Sequence, residues 1–148
     1  MPLRTMLQIA MLALAGLPSL AMAEEILTIH DLAADPKRHD GKRVIVRAIA
    51  DFNGINTMIL LHSKKEYVLY NKGTMKNAEA ARACITVNNN DKLFTSAREK
   101  EAIQGRTVTV RGVFEANMFG EGREGINFSG CDINFRLLTV EHVLRVED

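Results

Sequence analysis

The residue types that most often carry chemistry are few in this chain and are scattered along it. Its four histidines are His30, His39, His62 and His142, and no two of them have the i, i+4 spacing that places two imidazoles on one helix face. None is a sequence neighbour of a cysteine. His30 adjoins Asp31, but an acid–base pair is a spatial arrangement that adjacency does not establish. We therefore predict no catalytic residue, no metal site and no cofactor.

One segment fits a phosphate-binding pattern. Residues Gly120–Gly125 read GEGREG, which matches G-x-G-x-x-G. In dinucleotide-binding proteins this pattern follows a strand and opens a helix within a β-α-β unit. Here the strand-like stretch Ile126–Phe128 follows it, and its two glutamates would repel a pyrophosphate. We interpret the segment as a hairpin loop.

The two cysteines, Cys84 and Cys131, predict one disulfide if the protein is exported to an oxidising compartment. The alternative is two separate buried thiols. Their spacing is unlike the C-x-x-C of a redox catalyst, so the sequence does not favour a thiol oxidoreductase.

The first 23 residues have the layout of a secretory signal peptide. Arg4 precedes an apolar run over Met6–Leu17, and Ala21–Ala23 places small residues at the −3 and −1 positions of a cleavage site. The alternative is an N-terminal membrane anchor, but the run is shorter than the roughly 18 to 20 residues that a span requires. We expect a periplasmic or secreted protein with one domain, Glu24–Asp148, and no membrane span after cleavage.

Charge and aromatic content do not favour a nucleic-acid partner. The chain has 19 Lys and Arg residues against 18 Asp and Glu, and Arg4 is the only charged residue before Glu24. The expected mature domain is therefore neutral overall, whereas nucleic-acid phosphates are bound by clustered positive charge. The chain has no Trp, and aromatic residues make up 5% of it, which leaves few rings for base stacking.

A short sequence occurs twice. GKRVIVRA, over Gly41–Ala48, matches GRTVTVRG, over Gly105–Gly112, at the Gly, both Val and the Arg positions. Each copy enters from a glycine and then alternates with period two, which is typical of a strand with one buried face. In the strand that begins in the first copy and extends to Phe52, the buried face would carry Val44, Val46, Ala48, Ala50 and Phe52.

The opposite face of the first strand also carries apolar residues. Ile45 and Ile49 lie on it, which predicts that the N-terminal segment or a second subunit covers it and leaves a homodimer possible. Arg43, Arg47, Arg106 and Arg111 lie on or near the two repeated strands. They predict either a solvated wall or a small basic patch for an acidic partner or an anionic glycan.

The order of predicted elements is that of the OB-fold. The predicted strands are Arg43–Phe52, Thr57–His62, Ala83–Asn88, Thr107–Glu115 and one starting at Ile133, with a helix over Lys92–Gln104. A mostly β, five-stranded OB-fold-like Greek-key barrel has this order, with its helix between strands three and four. Its first and fourth strands are neighbours, so the repeated segments would pair. The alternative is an up-and-down barrel or a small sandwich.

The strand framework also carries a resemblance. Residues Asp35–Val46 have the pattern D-P-x-x-x-D-G-K-x-V-x-V and resemble the opening of small OB-fold-like domains of exported bacterial proteins, many of them uncharacterised. The Gly105–Gly112 segment is similar to their fourth strand. The resemblance implies the fold and assigns no catalytic residue.

OB-folds bind ligands on the face of strands two and three, flanked by the loops that join strands one to two and four to five. Among the aromatic residues, we assign Phe52, Phe94, Phe114 and Phe135 to the core rather than to this face. The candidate ligand-binding residues are Asn53, Asn56, Tyr67, Tyr70, Phe119, Arg123 and Phe128.

We expect a non-enzymatic binding or interaction module whose protein or glycan partner is unknown. The first alternative is an oligosaccharide or single-stranded nucleic-acid binder that uses the strand face, and the second is a small periplasmic hydrolase. Exposed tyrosines and phenylalanines would favour the ligand binder, and an exposed patch at Ile45 and Ile49 would favour a protein partner. His, Asp or Glu side chains that converge on a pocket would favour an enzyme.

Overall fold

The computed structural model describes residues 24–53, 57–76, 79, 82–88, 90–117, 131 and 136–148. The strands are β1 (Ile26–Leu27), β2 (Arg43–Asn53), β3 (Thr57–Leu61), β4 (Cys84–Val87), β5 (Thr107–Glu115) and β6 (Leu137–Glu147). The helices are α1 (Ile29–Ala34), α2 (Pro36–His39), α3 (Lys64–Asn71), α4 (Asn90–Leu93) and α5 (Ala97–Ile103). Within those ranges, no helix has the length and apolar character needed to cross a membrane.

The six strands form one mixed sheet, and five of them pair in a ring. The ring runs β2–β3–β4–β6–β5 and returns to β2, with β4 and β6 parallel and the other pairs antiparallel. β1, which the sequence did not predict as a strand, adds to β2 in parallel and pairs Ile26 with Ile45. The prediction of a mostly β fold is confirmed at this level.

The two repeated segments are neighbouring strands, as predicted. β2 and β5 are antiparallel, and Val46 pairs with Val110, its own counterpart in the repeat. The opening glycines, Gly41 and Gly105, both have positive φ (68° and 67°). The Gly41 N–H donates to the Phe114 carbonyl at 2.8 Å and the Gly105 N–H to the Ala50 carbonyl at 2.8 Å. The opening glycine of each copy is therefore hydrogen-bonded to the strand that continues from the other copy.

The main core fills the inside of the ring. Val46, Ala50, Val110 and Phe114 are fully buried there, and Phe52 packs against the same cluster. The predicted inward face of β2 is thus confirmed. Phe94 also lies in this core and meets Phe52 edge to face, with ring centroids 5.6 Å apart. Phe135 lies outside the described residues.

A second, smaller core lies on the outer side of the sheet and was not predicted. It consists of Ile49, Ile59, Leu61, Cys84 and Cys131, and Tyr67, Tyr70 and Met75 pack against it. The helix α3 provides both tyrosines. Strands buried on both faces have continuous apolar runs rather than alternation, and Met58–Leu61 is such a run.

The second core explains what covers the outer isoleucines. Ile45 is 8% exposed and Ile49 is 5% exposed. β1 lies beside Ile45, as the N-terminal-segment prediction expected, and α3 lies over the cluster that contains Ile49. The prediction that this face is covered is therefore confirmed, and the exposed patch that would have favoured a protein partner is absent at these two residues. A homodimer stays a prediction, but Ile45 and Ile49 do not form its contact surface.

Two further predictions concern covalent and local structure. Cys84 and Cys131 form a disulfide with their Cα atoms 5.9 Å apart. The single predicted helix over Lys92–Gln104 is instead two helices, α4 and α5. Ser96 caps α5 and forms a capping box with Glu99, three residues later in the sequence.

Candidate ligand-binding cleft

The predicted ligand-binding face of the sheet is covered by the chain itself. Ile59 and Leu61 on β3 are fully buried beneath α3. Tyr67 and Tyr70, two predicted binding residues, are half-buried against this cluster. The Gln104 amide donates to the Tyr67 hydroxyl at 3.3 Å and also to the buried Asp51 carboxylate. These contacts hold α3 on the face where an oligosaccharide or nucleic acid would bind.

The other predicted binding residues lie mostly beyond the described parts of the chain. Asn53 is the last residue of β2 and pairs with Thr57 at the start of β3. Asn56, Phe119, Arg123 and Phe128 fall outside the described residues, as does the GEGREG motif. A ligand role for these residues stays a prediction, as does the signal peptide.

The repeated strands and β6 form an outer surface that we call the arginine wall. It consists of Arg43, Arg47, Arg106, Arg111 and Arg145, and each has an acidic partner. Arg43 binds Glu141 through two hydrogen bonds of 2.7 and 2.9 Å. The other pairs are Arg47–Glu147 at 2.7 Å, Arg106–Asp148 at 2.7 Å, Arg145–Glu147 at 2.9 Å, and Arg111–Glu24.

Irregular pairing in β6 places the acidic residues of this wall. The β5–β6 register shifts between Arg111 and Gly112, so Glu141 lies in β6 without a cross-strand partner of its own. Gly112 permits the close approach, because an added Cβ there would lie 2.4 Å from the Thr139 carbonyl oxygen. The extra residue turns the Glu141 carboxylate toward Arg43 on the far side of β5.

The ion pairs neutralise most of the wall. Hydrogen bonds from Arg43 lower the pKa of Glu141, and hydrogen bonds from Arg47 lower the pKa of Glu147, in each case against partial desolvation. Both carboxylates are therefore ionised at neutral pH and offset the arginines. This observation supports the solvated-wall interpretation over the basic patch.

A different cluster lies where α1 meets the end of β3. The imidazole rings of His30 and His62 stack there with centroids 3.4 Å apart and planes within 5° of parallel. His30 is in the first turn of α1, and His62 follows directly after β3. The two residues are far apart in sequence, and nothing in their local spacing indicates that they meet.

Local hydrogen bonds fix the backbone segments that carry the two rings. Thr28 caps α1 in a reciprocal capping box, in which its N–H and hydroxyl each donate to the Asp31 carboxylate at 2.7 Å. This box orients the turn that carries His30. The backbone N–H of His62 donates to the Ala83 carbonyl at 2.8 Å, and this bond holds His62 next to the residue that precedes β4.

The electrostatics of the stack favour a neutral imidazole. Burial lowers the pKa of His62, and the nearby His30 lowers it further, while Glu66 and Asp31 act in the opposite direction. The His62 Nδ1 atom is buried and has no hydrogen-bond partner among the described residues. Burial raises the pKa of Glu66, but hydrogen bonds from Ser63 and its own backbone, together with both histidines, outweigh this effect and lower it.

A cavity of about 160 Å³ opens beside the stack, and we call it the histidine cleft. Its lining combines the exposed His30 with charged and apolar side chains from α3 and from the segment before β4. These lining residues are Lys65, Glu66, Leu69, Met75, Glu79, Arg82 and Ala83. A neighbouring groove of about 420 Å³ shares His30 and Arg82 and is completed by Ala33 and Ala34.

The cations of the cleft differ from those of the wall. Neither the Lys65 ammonium nor the Arg82 guanidinium has a charged partner within the described part of the chain. The acidic groups of the cleft do have hydrogen bonds. Glu66 accepts one from the Ser63 hydroxyl, and Glu79 accepts one from the Lys76 N–H at 3.3 Å.

The geometry of the stack does not suit a shared metal ion. Imidazole lone pairs lie in the ring planes, so one ion bound by two parallel rings 3.4 Å apart would lie well outside both planes. Across the residues that the structure describes, no three His, Cys, Asp or Glu side chains are grouped so that they could hold a metal.

The cluster meets in part the condition that the sequence analysis set for an enzyme, because His30 and Glu66 line the cavity and His62 stacks on His30. The Asp31 carboxylate is instead bound to Thr28. The adjacent hydroxyl is that of Ser63. It donates to the Glu66 carboxylate and accepts from the Lys65 N–H at 3.2 Å, so it caps α3. Neither bond is to a histidine, which is the contact that would activate a serine nucleophile.

The chain was compared with protein-family models, with curated protein sequences and with solved structures, and none of them matches it. The site must therefore be interpreted from its own chemistry.

Proposed function

We propose that the protein is an exported, non-enzymatic OB-fold-like binding module that binds a small ligand in the histidine cleft. The order of strands in the ring supports the OB-fold part of this proposal. β2 lies beside both β3 and β5, β4 is parallel to β6, and α4 and α5 connect β4 to β5. A five-stranded Greek-key barrel with a helix between strands three and four has this connectivity.

Export is supported by two observations. The first 23 residues have the pattern of a signal peptide. The Cys84–Cys131 disulfide is the kind of bond that persists in a periplasmic or extracellular environment.

The observation that carries the binding proposal is the cleft beside the stacked histidines. Small-molecule sites are concave and apolar with a few polar groups that fix orientation. The histidine cleft is concave and has an apolar part at Leu69, Met75 and Ala83, but it carries more charged groups than such sites usually do. Two of these groups, Lys65 and Arg82, have no charged partner among the described residues. The strand face is covered by α3, and the arginines of the wall are paired, so the cleft is the better-supported site.

The test is backbone NMR of the exported, oxidised protein with mixtures of small molecules. The mixtures contain amino acids, short carboxylic acids, amines, sugars and mononucleotides. We expect one mixture to shift the amide signals of His30, Leu69, Met75 and Arg82 in a saturable way. Shifts confined to β3, β4 or the arginine wall would contradict the proposal, as would no shift with any mixture.

A second candidate function, a small hydrolase, is favoured by the lowered pKa of His62 beside Glu66 and Asp31. A neutral imidazole at neutral pH can accept a proton from water. We expect any such activity on p-nitrophenyl esters to vanish in His62→Gln and to persist in His142→Gln. Equal rates in both variants would exclude the histidine cleft as the site of hydrolysis.

A further inference from the structure

The histidine cleft places charges of both signs around an apolar surface. We propose that its ligand is a small zwitterion, namely a free α-amino acid with an apolar side chain. This inference rests on the proposed function and adds the class of ligand to it.

The two positive groups are suited to a carboxylate. Lys65 and Arg82 line the cleft, and neither is engaged by an acidic side chain among the described residues. A guanidinium donates two parallel hydrogen bonds to a carboxylate, and an ammonium adds a point charge. The exposed His30 ring offers a further polar edge at the same opening.

The two negative groups are suited to an ammonium. Glu66 is ionised at neutral pH, because its hydrogen bonds and the neighbouring histidines outweigh desolvation. Glu79 accepts the Lys76 N–H through one oxygen atom, Oε2, and its other oxygen has no hydrogen-bond donor among the described residues. A simple anion in the cleft would face both carboxylates, and a simple amine would face both cations. Only a ligand with both charges satisfies all four groups.

The apolar surface and the size of the cleft limit the rest of the ligand. Leu69 and Met75 are half-buried side chains that line the same cavity. Its volume of about 160 Å³ is below the roughly 300–1,000 Å³ of pockets for drug-sized molecules. A branched or unbranched aliphatic side chain fits these limits, and its contact with Leu69 and Met75 would contribute the hydrophobic part of binding.

The experiment is isothermal titration calorimetry at pH 7.5 with L-leucine and three analogues that lack one or both charges. 3-Methylbutylamine lacks the carboxylate, 4-methylpentanoate lacks the ammonium, and 4-methylpentanamide lacks both charges. L-valine and L-methionine test the size limit. We expect leucine to bind, and each of its single-charge analogues to bind at least tenfold more weakly than leucine.

A variant links the preference to the cleft. Glu79→Gln keeps an oxygen that can accept the Lys76 N–H but removes the negative charge. We expect it to weaken leucine binding at least fivefold while 4-methylpentanoate binds no more weakly than to the unmodified protein. Glu115→Gln, a change to an exposed carboxylate at the end of β5, is the control and should change neither affinity.

The outcomes separate the two proposals. If 4-methylpentanoate binds as tightly as leucine, the cleft is an anion site, so the zwitterion inference fails and the proposed function survives. If amino acids do not bind but another small molecule shifts the cleft amides, the inference fails in the same way. If no small molecule shifts these amides, both proposals fail.

Discussion

The arginine wall and the histidine cleft contain similar charged side chains but use them differently. On the wall, Arg43 and Arg47 of β2 are paired with Glu141 and Glu147 of β6, across the strand β5 that lies between them. In the cleft, Lys65 and Arg82 have no such partners among the described residues, while the local carboxylates are held by caps. Every arginine of the wall thus has an acidic partner, although Arg47 and Arg145 share Glu147. This difference between the two regions is the reason for placing the proposed ligand in the cleft.

The largest expected effect comes from the disulfide beneath α3. The double variant Cys84→Ala/Cys131→Ala releases a link between residues 47 positions apart, and the chain-entropy estimate for such a loop is about 4 kcal/mol of unfolding free energy. Urea denaturation measures this loss. Because both cysteines belong to the core under α3, hydrogen exchange should also increase more in α3 than in β5. An unchanged unfolding free energy would contradict the structural role of the bond.

The next largest loss of stability is expected at Gly112, in the strand β5 that carries part of the wall. In Gly112→Ala the new methyl group would clash with the backbone at Thr139 and Val140, and overpacking of this kind costs about 3 kcal/mol. Gly73→Ala is the matched control, because Gly73 has a positive φ of 66° but open space around it, and should lose about 1 kcal/mol. Thermal unfolding ranks the two. A smaller loss at Gly112 than at Gly73 would contradict the β5–β6 packing, and the folded Gly112→Ala protein should still bind ligand in the cleft.

As the pH falls, the protein should first lose the stability that depends on a neutral His62, and only at lower pH the stability that depends on the ionised glutamates of the wall. The pKa of His62 is lowered in the folded protein, mainly by burial, so the unfolded chain binds more protons once the pH falls below about 6.5. Stability should therefore decline from that pH until the lower folded pKa is passed. The pKa values of Glu141 and Glu147 are also lowered, but their contribution is present above the ordinary carboxylate pKa of about 4.3 and is lost below it.

Urea midpoints between pH 7 and pH 3 separate these two steps. In His62→Phe, which keeps an aromatic ring at this position, the decline between pH 7 and pH 5 should become shallower, while the loss below pH 4.5 should remain. If the step between pH 7 and pH 5 is unchanged in this variant, His62 is not its cause.

The smallest effect is expected for a single wall pair. Arg43 and Glu141 are exposed enough that solvent and salt screen their attraction. A double-mutant cycle with Arg43→Gln and Glu141→Gln should give a weak favourable coupling at low salt that nearly disappears in 1 M NaCl. A coupling that is large and independent of salt would show that the wall contributes more than an exposed ion pair can.

The sequence predicted the parts of the fold that depend on local pattern. The repeat at Gly41 and Gly105 predicted two paired strands, because a glycine turn followed by alternating valines is typical of a strand with one buried face. The capping box at Ser96 was likewise visible from its spacing. The second core was missed because α3 has no clear amphipathic pattern, although the unbroken apolar run at Met58–Leu61 indicates a strand that is covered on both faces.

The candidate site could not be predicted from the same patterns. His30 and His62 come together only because α1 packs beside the end of β3, a contact between residues 32 positions apart. Met75 and Arg82 line the same cavity although they lie outside both elements that carry the histidines. Conversely, Tyr67 and Tyr70 were predicted as binding residues on the basis of residue type, and the fold uses both to cover Ile59 and Leu61.

The central claim is that the cleft, and not the wall, binds the ligand through unpaired charge. The most direct test measures the affinity of L-leucine for Arg82→Gln and for Arg47→Gln, which remove one arginine charge from each region. The account predicts at least a tenfold loss in Arg82→Gln and no change in Arg47→Gln. An equal loss in both variants, a loss only in Arg47→Gln, or no loss in either would contradict it.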